Sequence, residues 1–319
     1  MGSFLVRRIA AMIVAFLLIT VIIFWLVHLA PGDPVSRLIP IDEYNAGTPA
    51  FLAHKRHELG LDQPLIVQYF RWFGDAIQGN LGYSVSDGRP VSSLIAERIS
   101  PTLELMGLSL LLGIVVALPL GMLAAVRKNR LSDYLATLVS MITISTPTFF
   151  VGIIAIYFFS LKLQLLPSSG MSDPQDGSTS DLLRHLVMPV VVLGLATAGQ
   201  LTRYVRSSVL SELSSEYVRT ALAKGMPMWQ VLIKHVLRNA LIPIITVIAI
   251  FLPGLLGGAV VVEQIFAWPG MGQLAVTAVT RQDNAVIIAF ALLVSILVLL
   301  SNLLADLLYA VVDPRVVLK

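Results

Sequence analysis

Six stretches of this chain run without Asp, Glu, Lys or Arg for all or most of the length a helix needs to cross a bilayer: Ile9–Leu29, Leu105–Val126, Tyr134–Leu161, Leu186–Thr202, Ala240–Val262 and Ala285–Ala305. About 20 apolar residues span a hydrocarbon core as a helix. Inside lipid the backbone must satisfy its own hydrogen bonds, which leaves helices and closed barrels as the spanning structures. The expected fold is therefore all-α, a polytopic membrane bundle of six transmembrane helices. The fourth run is the shortest and is predicted to continue past Arg203, whose long side chain reaches the interface. Pro119, Pro147, Pro189, Pro243 and Pro253 lie inside runs; neighbouring helices, hydroxyls and waters satisfy the carbonyls they free, and kinks are the expected result. Composition agrees, since 13% of the residues are charged against about 25% in soluble domains.

Arg7-Arg8 precede the first run. A cleaved signal peptide starts similarly, but its apolar core is about 7–15 residues and ends at a small-residue cleavage site. Here the run is longer and Pro31 follows Ala30 where cleavage would fall, so an uncleaved first span is expected. Lys and Arg in short loops set orientation. One side holds thirteen of them, in the N-terminal arm, the 127–133 loop, the 203–239 loop and the tail; the short loops on the other side hold three, Lys162, Arg184 and Arg281. The long 31–100 segment holds six more, but segments above about 60 residues translocate largely regardless of charge. Both termini are thus expected in the cytoplasm. The net charge of +3 is explained by this topology; basic residues at the ends of apolar runs, not gathered on one face, do not point to nucleic acid.

The chain divides into a first helix with its cytoplasmic N-terminus (1–30), an external segment (31–102), a core of five transmembrane helices (103–310) that includes a cytoplasmic loop (207–239), and a cytoplasmic tail (311–319). Within the external segment, Pro64–Phe73 is an amphipathic helical stretch. It reads as an interfacial helix with an aromatic belt or as a docking surface for an external partner.

Catalytic and ion-coupling motifs are missing. The chain has no cysteine, its five histidines never form His-Glu-x-x-His, and no Gly-x-Ser-x-Gly occurs. No glycine is followed by lysine, so there is no P-loop and no means of hydrolysing ATP alone. Ion-coupled carriers place ionisable groups near the midplane, whereas Glu104, Glu263 and Asp306 stand at the ends of runs. The energy for any transport must come from another subunit.

The loop between the fourth and fifth runs reads Glu216-Tyr-Val-Arg-Thr-Ala-Leu-Ala-Lys-Gly225-Met-Pro-Met-Trp-Gln-Val-Leu-Ile-Lys-His-Val-Leu-Arg-Asn-Ala-Leu-Ile-Pro243. The pattern predicts a helix–turn–helix: Ser214 or Ser215 caps the first helix, Glu216 suits its dipole, Gly225 ends it, and Pro227 opens the second. Thr220, Ala221, Ala223 and Gly225 give the first helix a small-residue end whose backbone can lie deep in a partner's groove.

This string resembles the cytoplasmic coupling loop of ABC-importer permeases of the dipeptide/oligopeptide/nickel family, B-type subunit. It departs at Leu222, where the family commonly has Arg, and Arg219-Thr220-Ala221 takes the place of the general Glu-Ala-Ala start. Three other strings are similar to that family: Arg7-Arg8 with the first run and Ala30-Pro-Gly-Asp-Pro34; Glu58-Leu-Gly-Leu-Asp-Gln-Pro-Leu with Gln68-Tyr-Phe and Gly79-Asn-Leu-Gly-Tyr-Ser84; and Glu263-Gln-Ile-Phe-Ala-Trp-Pro-Gly-Met-Gly-Gln-Leu274.

The resemblance implies a type I ABC importer permease fold in a bacterial inner (plasma) membrane. It implies a paralogous second permease, two cytoplasmic ATPase subunits that carry ATP and Mg, and an external binding protein, with di/oligopeptides as cargo. No cofactor is implied on this chain and no enzymatic activity. Glu216, Tyr217, Arg219, Thr220, Ala221, Ala223, Lys224, Gly225 and Pro227 would couple to an ATPase subunit. Thr143, Ser145, Thr146, Thr148, Gln200 and Thr246 either face a polar passage or make helix–helix hydrogen bonds. Pro253-Gly254 with Gly257-Gly258 reads as a gating kink or as close helix packing, and Glu263–Leu274 is expected to re-enter near the outer face and help plug the pore. In intact cells, a single cysteine at Ser169 should react with a membrane-impermeant maleimide, and cysteines at Asn129 and Lys224 only after permeabilisation. Labelling of position 224 from outside would overturn the topology.

Overall fold

The computed structural model describes residues 2–29, 53, 54, 57, 62–173 and 176–312. The Ala30–Pro34 string, Glu58–Leu61 and the tail from Asp313 lie outside the described residues. Helices are α1 (Gly2–Leu29), α2 (Leu65–Ile77), α3 (Val91–Val126), α4 (Leu131–Ser145), α5 (Thr148–Ala155, continued by a π-helical turn Ile156–Lys162), α6 (Thr179–Leu213), α7 (Glu216–Ala223), α8 (Met228–Val231, continued by a π-helical turn Leu232–Val236), α9 (Leu237–Ile265), α10 (Met271–Thr280) and α11 (Asn284–Val312). Among the described residues there is no strand, only an isolated bridge between Tyr83 and Pro90.

Among the described residues, five helices are long and apolar enough to cross a membrane, and the pair α4–α5 makes a sixth if it is one span. That pair bends by 96°. The break falls at Thr146 (φ −87°, ψ 123°), immediately before Pro147, because the proline ring forces the preceding residue out of the helical region. Elsewhere the prolines are accommodated differently from a break: α3, α6 and α9 run on as single helices through theirs. The fourth run does extend past Arg203, to Leu213.

Two compact units are distinguished, Met1–Ile99 with Leu274–Leu299 and Ser100–Gln273 with Leu300–Lys319. In the first, α2 packs on α1: Thr20 Oγ1 lies 2.9 Å from Tyr69 Oη, and Phe24 meets the rings of Tyr69 and Trp72. No α2 residue is fully buried, and Ile66, Phe70 and Ile77 stay exposed, which fits both a helix lying at a membrane interface and a surface for a partner. In the same unit the Gly82–Gly88 turn is fastened by Asp283, which is 2% exposed. Asp283 accepts hydrogen bonds from Ser84 Oγ (2.5 Å) and the Ser86 N–H (3.2 Å), and its other oxygen from the Val286 N–H in the first turn of α11 (3.4 Å). One carboxylate both caps a helix and anchors the turn that carries the Gly82-Tyr83-Ser84 string.

In the second unit α6 packs against α4, α5 and α9. Glycines allow the closest approaches. A Cβ on Gly121 would come within 2.6 Å of Val205 and 3.0 Å of the Thr202 carbonyl, and one on Gly199 would overlap Thr143. At the end of α4, Arg206 Nε and Nη2 donate to Asp133 Oδ1 and Oδ2 at 2.6 and 2.8 Å, and the Asn129 N–H donates to Asp133 Oδ2 at 2.9 Å. The fork geometry satisfies a carboxylate that is otherwise buried. By contrast Leu135, Leu138, Val139, Met141 and Ile142 of α4 are exposed, a surface for lipid or another subunit and not for water.

Gly121→Ala should lower the thermal midpoint of the detergent-purified protein, the added methyl costing about 1–3 kcal/mol of overpacking. Gly107→Ala, on the same helix with nothing within 4 Å of the new methyl, controls for helix propensity and should leave the midpoint unchanged or raise it. Equal midpoints for the two variants would refute the close α3–α6 contact.

Candidate functional site

The predicted helix–turn–helix forms, and the turn closes as expected. The Gly225 N–H donates to the Leu222 carbonyl at 2.9 Å and the Met226 N–H to the Ala221 carbonyl at 3.3 Å, with Gly225 at φ +80°. This is the Schellman arrangement, and glycine adopts the left-handed backbone it needs at no steric cost. Two local expectations are corrected. Ser215 stands at the cap of α7, but its side chain makes no capping hydrogen bond, and Ser214 Oγ donates back to the Ser211 carbonyl. Pro227 is at the cap position of α8 and not in its first turn, with extended backbone (φ −67°, ψ 146°).

The small-residue end of α7 splits between two environments. Ala221 is buried with Val218 among Val205, Val209, Val231, Val236, Ala240 and Ile244, so its size answers the protein's own packing. Glu216, Arg219, Thr220, Ala223, Lys224, Gly225 and Pro227 are exposed. Arg219 Nη1 pairs with Glu216 Oε1 at 3.0 Å on the open surface. Tyr217 is half-buried and donates to Glu212 Oε2 at 2.5 Å; burial first, and that bond second, hold its phenol above the usual value. Sequence reasoning missed the apolar surface beside these residues: Leu222, Met228, Trp229 and Ile233 are all exposed, Trp229 by 60%. Its signal was available, because a Trp and an Ile four residues apart on a charged loop helix have no reason to face water.

The second arrangement is the turn that follows α9. Glu263 is 0% exposed and its carboxylate is filled from several directions: Thr102 Oγ1 donates to Oε1 at 2.7 Å, and the N–H groups of Gly272 and Gln273 donate to Oε2 at 2.7 and 3.0 Å. Thr102 Oγ1 in turn accepts from the Met271 N–H at 2.7 Å. Trp268 is wholly buried and donates from Nε1 to the Pro101 carbonyl at 2.9 Å. The helix end closes in a second Schellman arrangement, Trp268 N–H to Glu263 carbonyl (2.9 Å) and Ala267 N–H to Gln264 carbonyl (3.4 Å), with Ala267 at φ +46° where glycine would be cheaper. A Cβ on Gly270 would overlap the Glu263 carboxylate, and one on Gly272 would reach Val260 Cα at 2.6 Å. The Trp-Pro-Gly-Met-Gly string thus folds a hairpin around one buried acid and leads it into α10.

The other pore candidates are distributed over α4 and the break that follows it, α6 and α9. Thr143 and Thr146 donate to the Ser140 and Ile142 carbonyls of their own helix, at 3.0 and 2.7 Å, and not to another helix. Thr197 and Thr202 do the same on α6; such bonds satisfy a hydroxyl in lipid without a partner helix. Gln200 is exposed on α6, and Thr246 and Pro253 are half-buried on α9. Gly258 packs against Leu193, where a Cβ would lie at 3.0 Å, whereas Gly254 and Gly257 have nothing within 4 Å. Among the described residues no group of three or more His, Asp or Glu side chains is placed to hold a metal ion.

Two family models match. Residues 117–318 match the binding-protein-dependent transport system inner membrane component, and residues 1–106 match the N-terminal part of such membrane components. The chain is 40% identical over 318 residues to the oligopeptide transport system permease protein AppB of Bacillus subtilis, covering 99% of each. It is 40% identical over 316 residues, again 99% of each, to the glutathione transport system permease protein GsiC of Salmonella paratyphi A. Inward-facing MetNI methionine ABC transporter structures share the fold, with a TM-score of 0.57 at 23% identity over 69% of this chain and 96% of that one. The helix–turn–helix between two spans of a helical bundle accords with these matches, and the chain belongs to the family of binding-protein-dependent transport system inner membrane components.

Proposed function

We propose that the chain forms half of the translocation pore of an ATP-driven importer of di/oligopeptides, and that it couples through residues 212–238 to cytoplasmic ATPase subunits. Both termini lie in the cytoplasm, the 31–102 segment lies outside, and a paralogous permease completes the pore. ATP and Mg belong to the two ATPase subunits, and an external binding protein delivers the peptide. Two relatives are named for oligopeptide and for glutathione, itself a peptide, which favours a short peptide as cargo.

One observation carries the coupling assignment. Leu222, Met228, Trp229 and Ile233 are exposed on a loop flanked by Arg219 and Lys224, in a chain with no ATP-binding motif of its own. The helix pair beneath them is packed by Val218, Ala221, Val231 and Val236 onto Val205 and Val209 of α6 and Ala240 and Ile244 of α9. A push received at the surface residues is therefore delivered to two spans at once, which is how a closing ATPase pair would shift the bundle between two packings. Glu263–Leu274, with its buried acid, is the part of the chain we assign to closing the pore.

Two experiments test these roles. Trp229→Glu should abolish co-purification of the ATPase subunits and substrate-stimulated ATPase activity. The chain's own thermal midpoint should stay put, because exposed substitutions usually change stability by about 0.5 kcal/mol or less. Gly225→Trp or Ala221→Asp would be poorer probes, the first straining a left-handed backbone and the second placing a charge in the protein's own core. If Trp229→Glu keeps both properties at wild-type level, the coupling surface is elsewhere. For the pore, Thr102→Val removes one of the donors to Glu263 and the acceptor of the buried Met271 N–H, which weakens the hairpin by about 1–3 kcal/mol. Vesicles with this variant should leak peptide without ATP; tight vesicles holding folded protein would assign the hairpin a purely structural role.

A further inference from the structure

The loop between the broken span and α6 borders an open cavity of about 510 Å³ within the second unit, lined by Gln164, Ser169, Asp173, Asp181, Arg184 and His185 among others. Its size falls in the range of about 300–1,000 Å³ typical of small-molecule sites. Asp181 and His185 are more than nine-tenths buried, at 8% and 9% exposed. His185 Nδ1 lies 3.2 Å from Asp181 Oδ1 and 2.9 Å from the Asp181 carbonyl, and the Asp173 N–H donates to Asp181 Oδ2 at 2.6 Å. The walls are pinned: the Leu165 and Leu166 N–H groups donate to the Phe159 carbonyl at 2.9 and 3.3 Å, and the Gly170 N–H to the Phe266 carbonyl of the hairpin at 2.8 Å.

Charges of both signs line this space. Arg184 is exposed and donates from Nη2 to the Leu165 carbonyl at 3.3 Å, a long bond that engages one of the five N–H groups of a guanidinium. The Asp181 carboxylate has about four acceptor sites, and the two contacts above leave it able to take more; Asp173 adds a second carboxylate at the rim. A simple anion would meet two carboxylates here, and a simple cation a guanidinium. A bare metal ion would find no three-ligand group among the described residues. A ligand carrying an ammonium at one end and a carboxylate at the other answers both.

We propose that this cavity binds the charged termini of a short peptide, the carboxylate on the Arg184 guanidinium and the ammonium on the carboxylates of Asp173 and Asp181. The proposal rests on the peptide-import reading given above and adds a cargo site on the permease itself, joined through Gly170 to the hairpin assigned to pore closure.

The test is equilibrium binding of radiolabelled tri-alanine to the transporter complex in nanodiscs without its binding protein. Saturable binding is expected. N-acetyl-tri-alanine amide, which keeps the side chains and loses both charges, should compete at least about tenfold more weakly, and Arg184→Gln and Asp173→Asn should each weaken tri-alanine by about tenfold. Equal competition by the blocked peptide, or wild-type affinity in Arg184→Gln, overturns the site. So does an Arg184→Gln defect confined to association with the binding protein, which would make the cavity a docking contact. ATP-driven uptake of tri-alanine by the wild-type assembly with its binding protein is measured in parallel. Uptake without receptor-free binding overturns the cavity and leaves the import reading standing. ATPase turnover with no uptake of any short peptide overturns the import reading, and the cavity with it.

Discussion

The contact on which the proposed coupling depends is the small, valine-rich core where Val218, Ala221, Val231 and Val236 meet Val205, Val209, Ala240 and Ile244. Most helix surface in this chain is matched to lipid and gains nothing from burial against another helix, since lipid tails are as apolar as leucine. At the helix–turn–helix that argument no longer holds. A loop helix with one apolar face outside the hydrocarbon must bury it, and the nearest apolar surface is the end of its own bundle. β-branched side chains stiff at χ1 suit such a contact, because they lose little freedom on packing and transmit displacement. Ser208 Oγ adds a hydrogen bond to the Ala240 carbonyl at 3.0 Å between the same two spans.

Buried acids do the comparable work elsewhere. Asp283, Asp133 and Glu263 are each almost wholly buried, and each accepts a side-chain hydrogen bond and at least one backbone N–H. Asp283 takes a serine hydroxyl and two backbone N–H groups, Asp133 an arginine fork and an N–H, and Glu263 a threonine hydroxyl and two N–H groups. An uncompensated carboxylate in such a place would cost several kcal/mol, so each arrangement is all-or-none: the turn closes around the acid or does not form. That property makes turns specific without large cores, which a bundle bathed in lipid does not possess.

Much of this was legible in the residues. The six runs, the extension of the fourth past Arg203, the turn at Gly225 and the amphipathic stretch from Pro64 all follow from length, period and backbone chemistry, and the structure has them. Proline effects were only half legible. Pro147 breaks its span because Thr146 is driven to an extended backbone, while Pro119, Pro189, Pro243 and Pro253 are absorbed within continuous helices. Whether a freed carbonyl finds another donor depends on neighbours the sequence does not name.

The sequence by itself determined that the chain crosses a membrane as helices, because uncharged runs of that length have no other stable solution in lipid. Only the tertiary structure decided what its individual polar and small residues do. Glu263 stands at the end of an apolar run and reads as a pore group, yet Thr102, 161 positions away, and the returning hairpin enclose it. Ala221 reads as part of a docking surface, yet it is buried in the protein's own core while Trp229 stands open. The physical reason is the same in both cases. Helical period tells which residues share a face, but burial is a property of what lies against that face, and those atoms come from distant parts of the chain.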